Sequence, residues 1–156
     1  MQTFLPYADF QRSAQVLDYK RLGKQRVEAL QIHNIVSGKR TTGGWLNHPA
    51  VRMWQGYADC LAHYHDVMIR EWIARGYQNT MPYLATATPF DRPSWLGYEP
   101  LHLSHRSRLL QKDANAMDDN CIAETLLFEH ESTFGIDRND PDDANRSLLA
   151  QIVDKA

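Results

Sequence analysis

The sequence is poor in the residues that cross-link chains or cradle nucleotides. Two cysteines in 156 residues, Cys60 and Cys121, cannot make a disulfide framework, and they lack CxxC spacing. Each reads as a buried thiol in a reducing compartment. No run approaches the roughly 18 uninterrupted apolar residues of a membrane span. The opening MQTFLPYADF lacks the basic block and following apolar block of a secretion signal. These absences point to a cytoplasmic protein with no membrane partner. Neither GxxxxGK[ST] nor GxGxxG occurs among the 8 glycines, so phosphate-cradling loops are not indicated. No useful length of chain alternates with the period of two of a half-buried strand, and no internal repeat is visible. The expected fold is therefore all-α: a compact bundle of two long helices with shorter ones and a Pro-rich connecting loop, in a single domain over 1–156.

Hydrophobic residues make up 43% and charged residues 23%, as in an ordinary folded domain. The net charge of −2 would discourage any thought of a polyanionic partner, but it hides two opposed regions. Residues 1–112 carry 14 Lys and Arg against 8 Asp and Glu, a balance of +6. Residues 113–156 carry 3 against 11, a balance of −8. A basic body is followed by an acidic extension.

Helical punctuation divides the body. A first helix is predicted over 9–37, with Asp9 as N-cap and Gly38 as terminator. Phe10, Ala14, Leu17, Ile32 and Ile35 form its apolar stripe. Between Leu17 and Ile32 the same face carries Asp18, Arg21, Gln25 and Glu28. This polar lane implies that the helix lifts off the core there or breaks at Gly23, giving either a solvated segment or a lined cleft. A second long helix is predicted from Pro49 to before Gly76, capped by Asn47 or His48. Its apolar residues are Ala50, Met53, Trp54, Tyr57, Leu61, Tyr64, Met68 and Trp72. Prolines 82, 89, 93 and 100 forbid a helix interior and mark an ordered loop with aromatic anchors Tyr83, Phe90, Trp95 and Tyr98. A short basic helix capped by Ser104 follows, then helices around Ile122–Phe128 and Ala144–Val153.

The acidic run from Asp137 to Asn145 fails as a calcium loop, with Asp142 at the glycine position and Leu148 at the bidentate position. His63 and His65 point to opposite sides of a helix. His48, His102 and His105 remain as a possible ligand set for an all-α metal hydrolase. The cations are more informative. Arg12, Lys20, Arg21, Lys24, Arg26, Lys39 and Arg40 crowd one stretch, the density that phosphate contacts require.

At LDYKRLGKQRVEAL (17–30), SGKR (37–40), NHPAVRMWQGY (47–57), EWIARGY (71–77) and SHRSRLLQKD (104–113), the chain resembles the pyrimidine-dimer DNA glycosylases of the phage endonuclease V type, in their bacterial form. The resemblance covers roughly residues 1–112. It implies an all-α fold and a DNA glycosylase with abasic-site lyase activity. In that chemistry an N-terminal amine attacks the sugar C1′, releases the base and leaves a Schiff base. It implies no metal and no cofactor, and a monomer acting on kinked double-stranded DNA with a flipped base. An α-amine suits the task, because its ordinary pKa of roughly 7.7–8.0 leaves a neutral fraction near pH 7.

The candidate catalytic residues implied are Met1, Glu28, Asp18 and Arg21. The DNA-binding candidates are Arg12, Lys20, Lys24, Gln25, Arg26, Lys39, Arg40, His48, Arg52 and Arg106. Two departures mark this chain. An ungapped match puts Gly23 where the family's prototype has its helix glutamate, which leaves Glu28 and Asp18 as carboxylates. Gln2 is not a small residue, so Met1 is expected to stay and to carry the amine, with Lys20 or Lys24 as substitutes. A non-catalytic DNA-binding protein of the same fold is the alternative that these departures raise.

Overall fold

The computed structural model describes residues 2–84 and 88–112. The predicted helices around Ile122–Phe128 and Ala144–Val153, Cys121 and the acidic extension lie outside the described residues. So does Met1. Five helices are present among the described residues, with no strand: α1 (Phe10–Val16), α2 (Tyr19–Val36), α3 (Pro49–Met53), α4 (Ala58–Ala74) and α5 (Glu99–Lys112). The all-α expectation holds. None of these helices is long and apolar enough to cross a membrane.

The predicted first helix is two helices. Asp9 caps α1 as expected, its carboxylate accepting from the Arg12 N–H at 2.7 Å. The chain then turns extended at Leu17, and Asp18 starts a new helix by accepting from the Lys20 and Arg21 N–H groups. The break falls at Leu17–Asp18 and not at Gly23, because both ends there are satisfied. Arg75 reaches across to the α1 carbonyls that a helix end leaves open, with Nη1 on Leu17 O at 2.6 Å and Nη2 on Ala14 O at 3.0 Å and Gln15 O at 2.9 Å. Gly23 lies inside α2 for a packing reason. A Cβ there would sit 3.0 Å from Trp72 Cζ3, so the missing side chain lets the indole rest on the helix.

The predicted second helix is also divided. His48 caps α3 as expected, with Nδ1 accepting from the Ala50 N–H at 3.1 Å. Gly56, at φ 85, ends the short turn in a conformation that side chains resist, and α4 restarts at Ala58. The two segments nevertheless keep one apolar side. Ala50, Met53, Trp54, Leu61, Tyr64 and Met68 are all buried, and Tyr57 and Trp72 pack at the margin. In the Pro-rich loop Phe90 and Trp95 pack on this core, Trp95 donating to Met53 O at 3.1 Å. Tyr83 is no anchor, being 51% exposed. The last helix begins earlier than predicted, at Glu99 with Pro100 in its first turn, and Ser104 lies within it, donating to Leu101 O.

The main packing is α2 against α4, with α1 also on α4. Residues 2–7, which belong to no helix, thread between these helices and α5. Thr3, Phe4, Leu5, Pro6 and Tyr7 are buried.

Candidate active site

A buried extended segment without a strand partner must find hydrogen bonds elsewhere, since each unpaired buried backbone group costs about 1–3 kcal/mol. Here side chains from α1, α2, α4 and α5 supply them. Gln25 accepts the Phe4 N–H at 2.9 Å and donates to Gln2 O at 3.0 Å. The Tyr64 hydroxyl lies 2.8 Å from Phe4 O and 2.7 Å from Gln25 Oε1, its single proton shared between them. Burial, and then Glu28, push this phenol well above its ordinary pKa, so it stays a donor. Trp54 donates to the Thr3 hydroxyl at 3.0 Å, and Arg106 donates to Pro6 O at 2.7 Å. Ser13 closes the segment, accepting from Tyr7 N–H at 3.0 Å and donating to Tyr7 O at 2.9 Å.

Two histidines hold Leu5 from both sides. His105 Nδ1 accepts the Leu5 N–H at 2.7 Å, so its proton is on Nε2. His102 Nε2 accepts the Gly97 N–H at 3.0 Å, which leaves the Nδ1 proton to donate to Leu5 O at 2.7 Å. Both rings work in their neutral form. Burial pulls the His105 pKa down to about 3, and burial lowers that of His102 despite its bond to Leu5.

The polar lane of α2 therefore faces the N-terminal segment. Gln25 and Glu28 are buried polar side chains, and the Gln2 N–H donates to Glu28 Oε2 at 3.3 Å. Gln25 Nε2 also reaches Glu28 Oε2, at 3.2 Å, and Lys24 lies 3.6 Å from Oε1. A carboxylate is thus fixed at the first described residue of the chain, with its other oxygen toward an exposed cation. His48 is close enough to feel it: burial lowers the imidazole pKa, and Glu28 opposes that shift.

The other candidates separate from this group. Asp18 lies ten residues up the helix, about 15 Å along its axis. Its carboxylate caps α2 and pairs with the Arg21 guanidinium. Burial raises the Asp18 pKa, but hydrogen bonds and charge from Arg21 outweigh it, so the acid lies below its ordinary value. Asp18 and Arg21 are a helix start, and Glu28 is the carboxylate at the N-terminal segment. Gly23 faces Trp72 on the far side of α2, so an acid at that position would not reach the segment.

Lys20, Lys24, Lys39, Arg40 and Arg52 are exposed, as is Arg12, whose guanidinium lies 3.8 Å over the Tyr7 ring. Arg26 is turned away from Glu28. It stacks 4.0 Å over Trp72 and donates to Asn79 Oδ1 at 2.8 Å. Arg106, expected at DNA, is 3% exposed and bound to Pro6 O and Glu99, so it positions the N-terminal segment and does not meet a phosphate. The histidine metal set is not assembled either. The ring nitrogens named above hold backbone groups, and no three His, Cys, Asp or Glu group around a metal position among the described residues.

Sequence reasoning missed Tyr64, Thr3 and the positioning roles of His102 and His105. The signal available was a polar atom on an otherwise apolar helix face.

A threaded, side-chain-held N-terminal segment ends at a buried carboxylate, beside exposed cations on one helix and the loop that follows it. The family model for pyrimidine dimer DNA glycosylase matches residues 1–84, more than half of the chain, and the chain belongs to that family. It is a DNA-repair glycosylase, an enzyme with DNA as its substrate. No curated protein and no solved structure matches.

Proposed function

We propose that this glycosylase removes damaged or modified pyrimidines from double-stranded DNA through a Schiff base on its N-terminal amine, and that the same intermediate supports cleavage of the strand. The observation that carries this reading is the hydrogen bond from Gln2 N–H to Glu28 Oε2. Covalent geometry keeps the Met1 nitrogen within about 4 Å of the Gln2 nitrogen. An amine at the end of a segment held this tightly lies within reach of Glu28.

The chemistry follows from that pairing. The neutral amine adds to C1′ as the C1′–N bond to the base breaks, and the base leaves with the bonding pair. Glu28 takes the proton lost by the amine and returns it to O4′ as the sugar ring opens, which gives the Schiff base. Loss of a C2′ proton then expels the 3′ phosphate. Lys20, Lys24, Lys39, Arg40, Arg52 and Arg12 supply exposed charge for phosphates, with the target nucleotide turned out of the duplex.

Borohydride reduction on duplexes carrying a pyrimidine dimer or an abasic site tests this reading. A covalent adduct mapping to the Met1 nitrogen, and lost on blocking that amine, is expected. Glu28→Gln should keep DNA affinity while slowing adduct formation by about 10²–10⁴. No adduct from a protein with a free N-terminus, together with salt-dependent duplex binding, would leave the non-catalytic DNA-binding alternative.

A further inference from the structure

The side of α4 that faces α1 carries a second group of cations, apart from those of α2 and the loop after it. His63, Val67 and Arg70 fall at four- and three-residue spacing along one face of α4. His63 and Tyr64 are neighbours in the chain but point about 100° apart round the helix. Tyr64 turns to Gln25 and Phe4 O. His63 turns to Phe10 of α1 and to Phe90 of the Pro-rich loop, with ring centroids 6.0 and 5.2 Å away. These three rings, with Val67, Arg70 and Arg92, line a groove of about 310 Å³ on a different side of α4 from the Gln25–Glu28 lane.

The protein leaves most of the groove's charge unused. Neither His63 nor Arg70 has a hydrogen bond or ion pair among the described residues. Arg92 donates from Nη2 to Ala8 O at 3.1 Å, which fastens the loop to the residue before the α1 cap and leaves the rest of its N–H fork for another acceptor. Its guanidinium also lies 6.0 Å from the Phe10 ring centroid. On the rim, Asp9 caps the Arg12 N–H and Gln11 donates to Glu71. Two guanidiniums against one carboxylate make the groove positive before the imidazole is counted. His63 lies in the field of both: burial lowers its pKa, Arg70 lowers it next, and Arg92 adds to this against the opposing charge of Asp66. Asp66 itself is held by His65 and by the Leu84 N–H.

Three donor groups from two elements match the three terminal oxygens of a phosphate monoester, where a carboxylate offers two, and the arginine fork suits phosphate geometry. The volume stands at the lower end of the roughly 300–1,000 Å³ of small-molecule sites. Phe10, Phe90 and Val67 give it apolar walls against which a flat ring can lie. We propose that this groove binds a phosphate monoester carried on a small flat body, the size of a mononucleotide, with the phosphate on Arg70, Arg92 and His63 and the ring against Phe10 and Phe90. A free mononucleotide and the phosphorylated end of a strand present the same chemistry. Binding of either is independent of the Schiff base.

Titration of the full chain with adenosine 5′-monophosphate, followed by calorimetry and by amide and imidazole NMR shifts, tests this. A purine is used because the proposed reaction acts on pyrimidines. Binding that moves the signals of His63, Val67 and Phe90 is expected, with adenosine, which lacks the phosphate, at least roughly tenfold weaker. Arg70→Gln should weaken the nucleotide roughly tenfold. Because Arg70 is exposed and unpaired among the described residues, that variant should melt at the native temperature, which a circular dichroism scan checks. A strand ending in a 5′-phosphate, set against the same strand ending in a hydroxyl, separates the two sources. A preference for the phosphate that Arg70→Gln removes assigns the strand end, and no preference alongside nucleotide binding assigns the free nucleotide. Equal affinity of native and Arg70→Gln protein for the nucleotide would overturn the proposal, as would equal affinity for adenosine or shifts confined to residues around Glu28.

Discussion

His105 makes the N-terminal segment sensitive to acid in a measurable way. Its folded pKa of about 3 lies below the ordinary 6.5, so the unfolded chain binds a proton that the folded chain refuses. Stability contributed by the neutral ring is then fully present above 6.5 and falls as pH drops toward 3. At pH 4.5, two units below the ordinary value, the loss from this one group is about 3 kcal/mol. Asparagine in its place offers an acceptor near the position of Nδ1 and does not titrate. Urea denaturation of native and His105→Asn protein at pH 7.5 and 4.5 isolates the effect, because acid shifts at His33, His65 and His102 are common to both. The native protein should lose about 2–3 kcal/mol more than the variant on acidification. Equal losses would mean that the Leu5 contact is not made by a neutral His105, and the account of how the segment is seated would fail.

Gln25→Ala leaves the Phe4 N–H, the Gln2 carbonyl and a lone pair of Glu28 without this partner. It should lower stability by about 2–3 kcal/mol and speed hydrogen exchange at Phe4 before that at α4. Arg75→Met should cost about 1–3 kcal/mol in chemical denaturation, because Ala14, Gln15 and Leu17 carbonyls lose their donor at the end of α1. Gly23→Ala should destabilise despite alanine's better helix propensity. The added methyl meets Trp72, which Gln78 O, Tyr77 and Arg26 hold in place; a gain in melting temperature would refute this packing. Removing Lys39 or Arg40 by alanine substitution should weaken DNA binding evenly across sequences and reduce the salt slope by about one each.

The helical class and the buried sides of the helices were legible because three-and-four spacing survives a break that preserves phase. Trp54 and Leu61 stayed on one side although α3 and α4 are separate. The break at Leu17 was not legible, since the group that stabilises it is Arg75, a cation that reads locally as surface charge. The polar lane had the same difficulty. Gln25 and Glu28 were visible as misplaced polar residues, but their partner is the main chain of residues 2–7, and backbone groups leave no trace in a side-chain pattern. Basic residues divide only in three dimensions. Lys24 ends in solvent and Arg106 on a carbonyl, although each sits in a run of similar charge.

The Leu5 contacts span about a hundred positions of chain, to His102 and His105, and Arg106 grips Pro6 across a similar interval. Residues 5 and 6 are therefore seated only once residues 102–106 are in place. During synthesis at about 5–20 residues per second, residues 5 and 6 have no completed berth until α5 has left the ribosome. The matched segment 1–84 can build α2 and α4 but lacks the three side chains that close over residues 5 and 6. Seating of residues 5 and 6 thus waits on the translation of a helix beyond that segment, and a truncated product would carry the matched region while leaving those residues without their α5 partners.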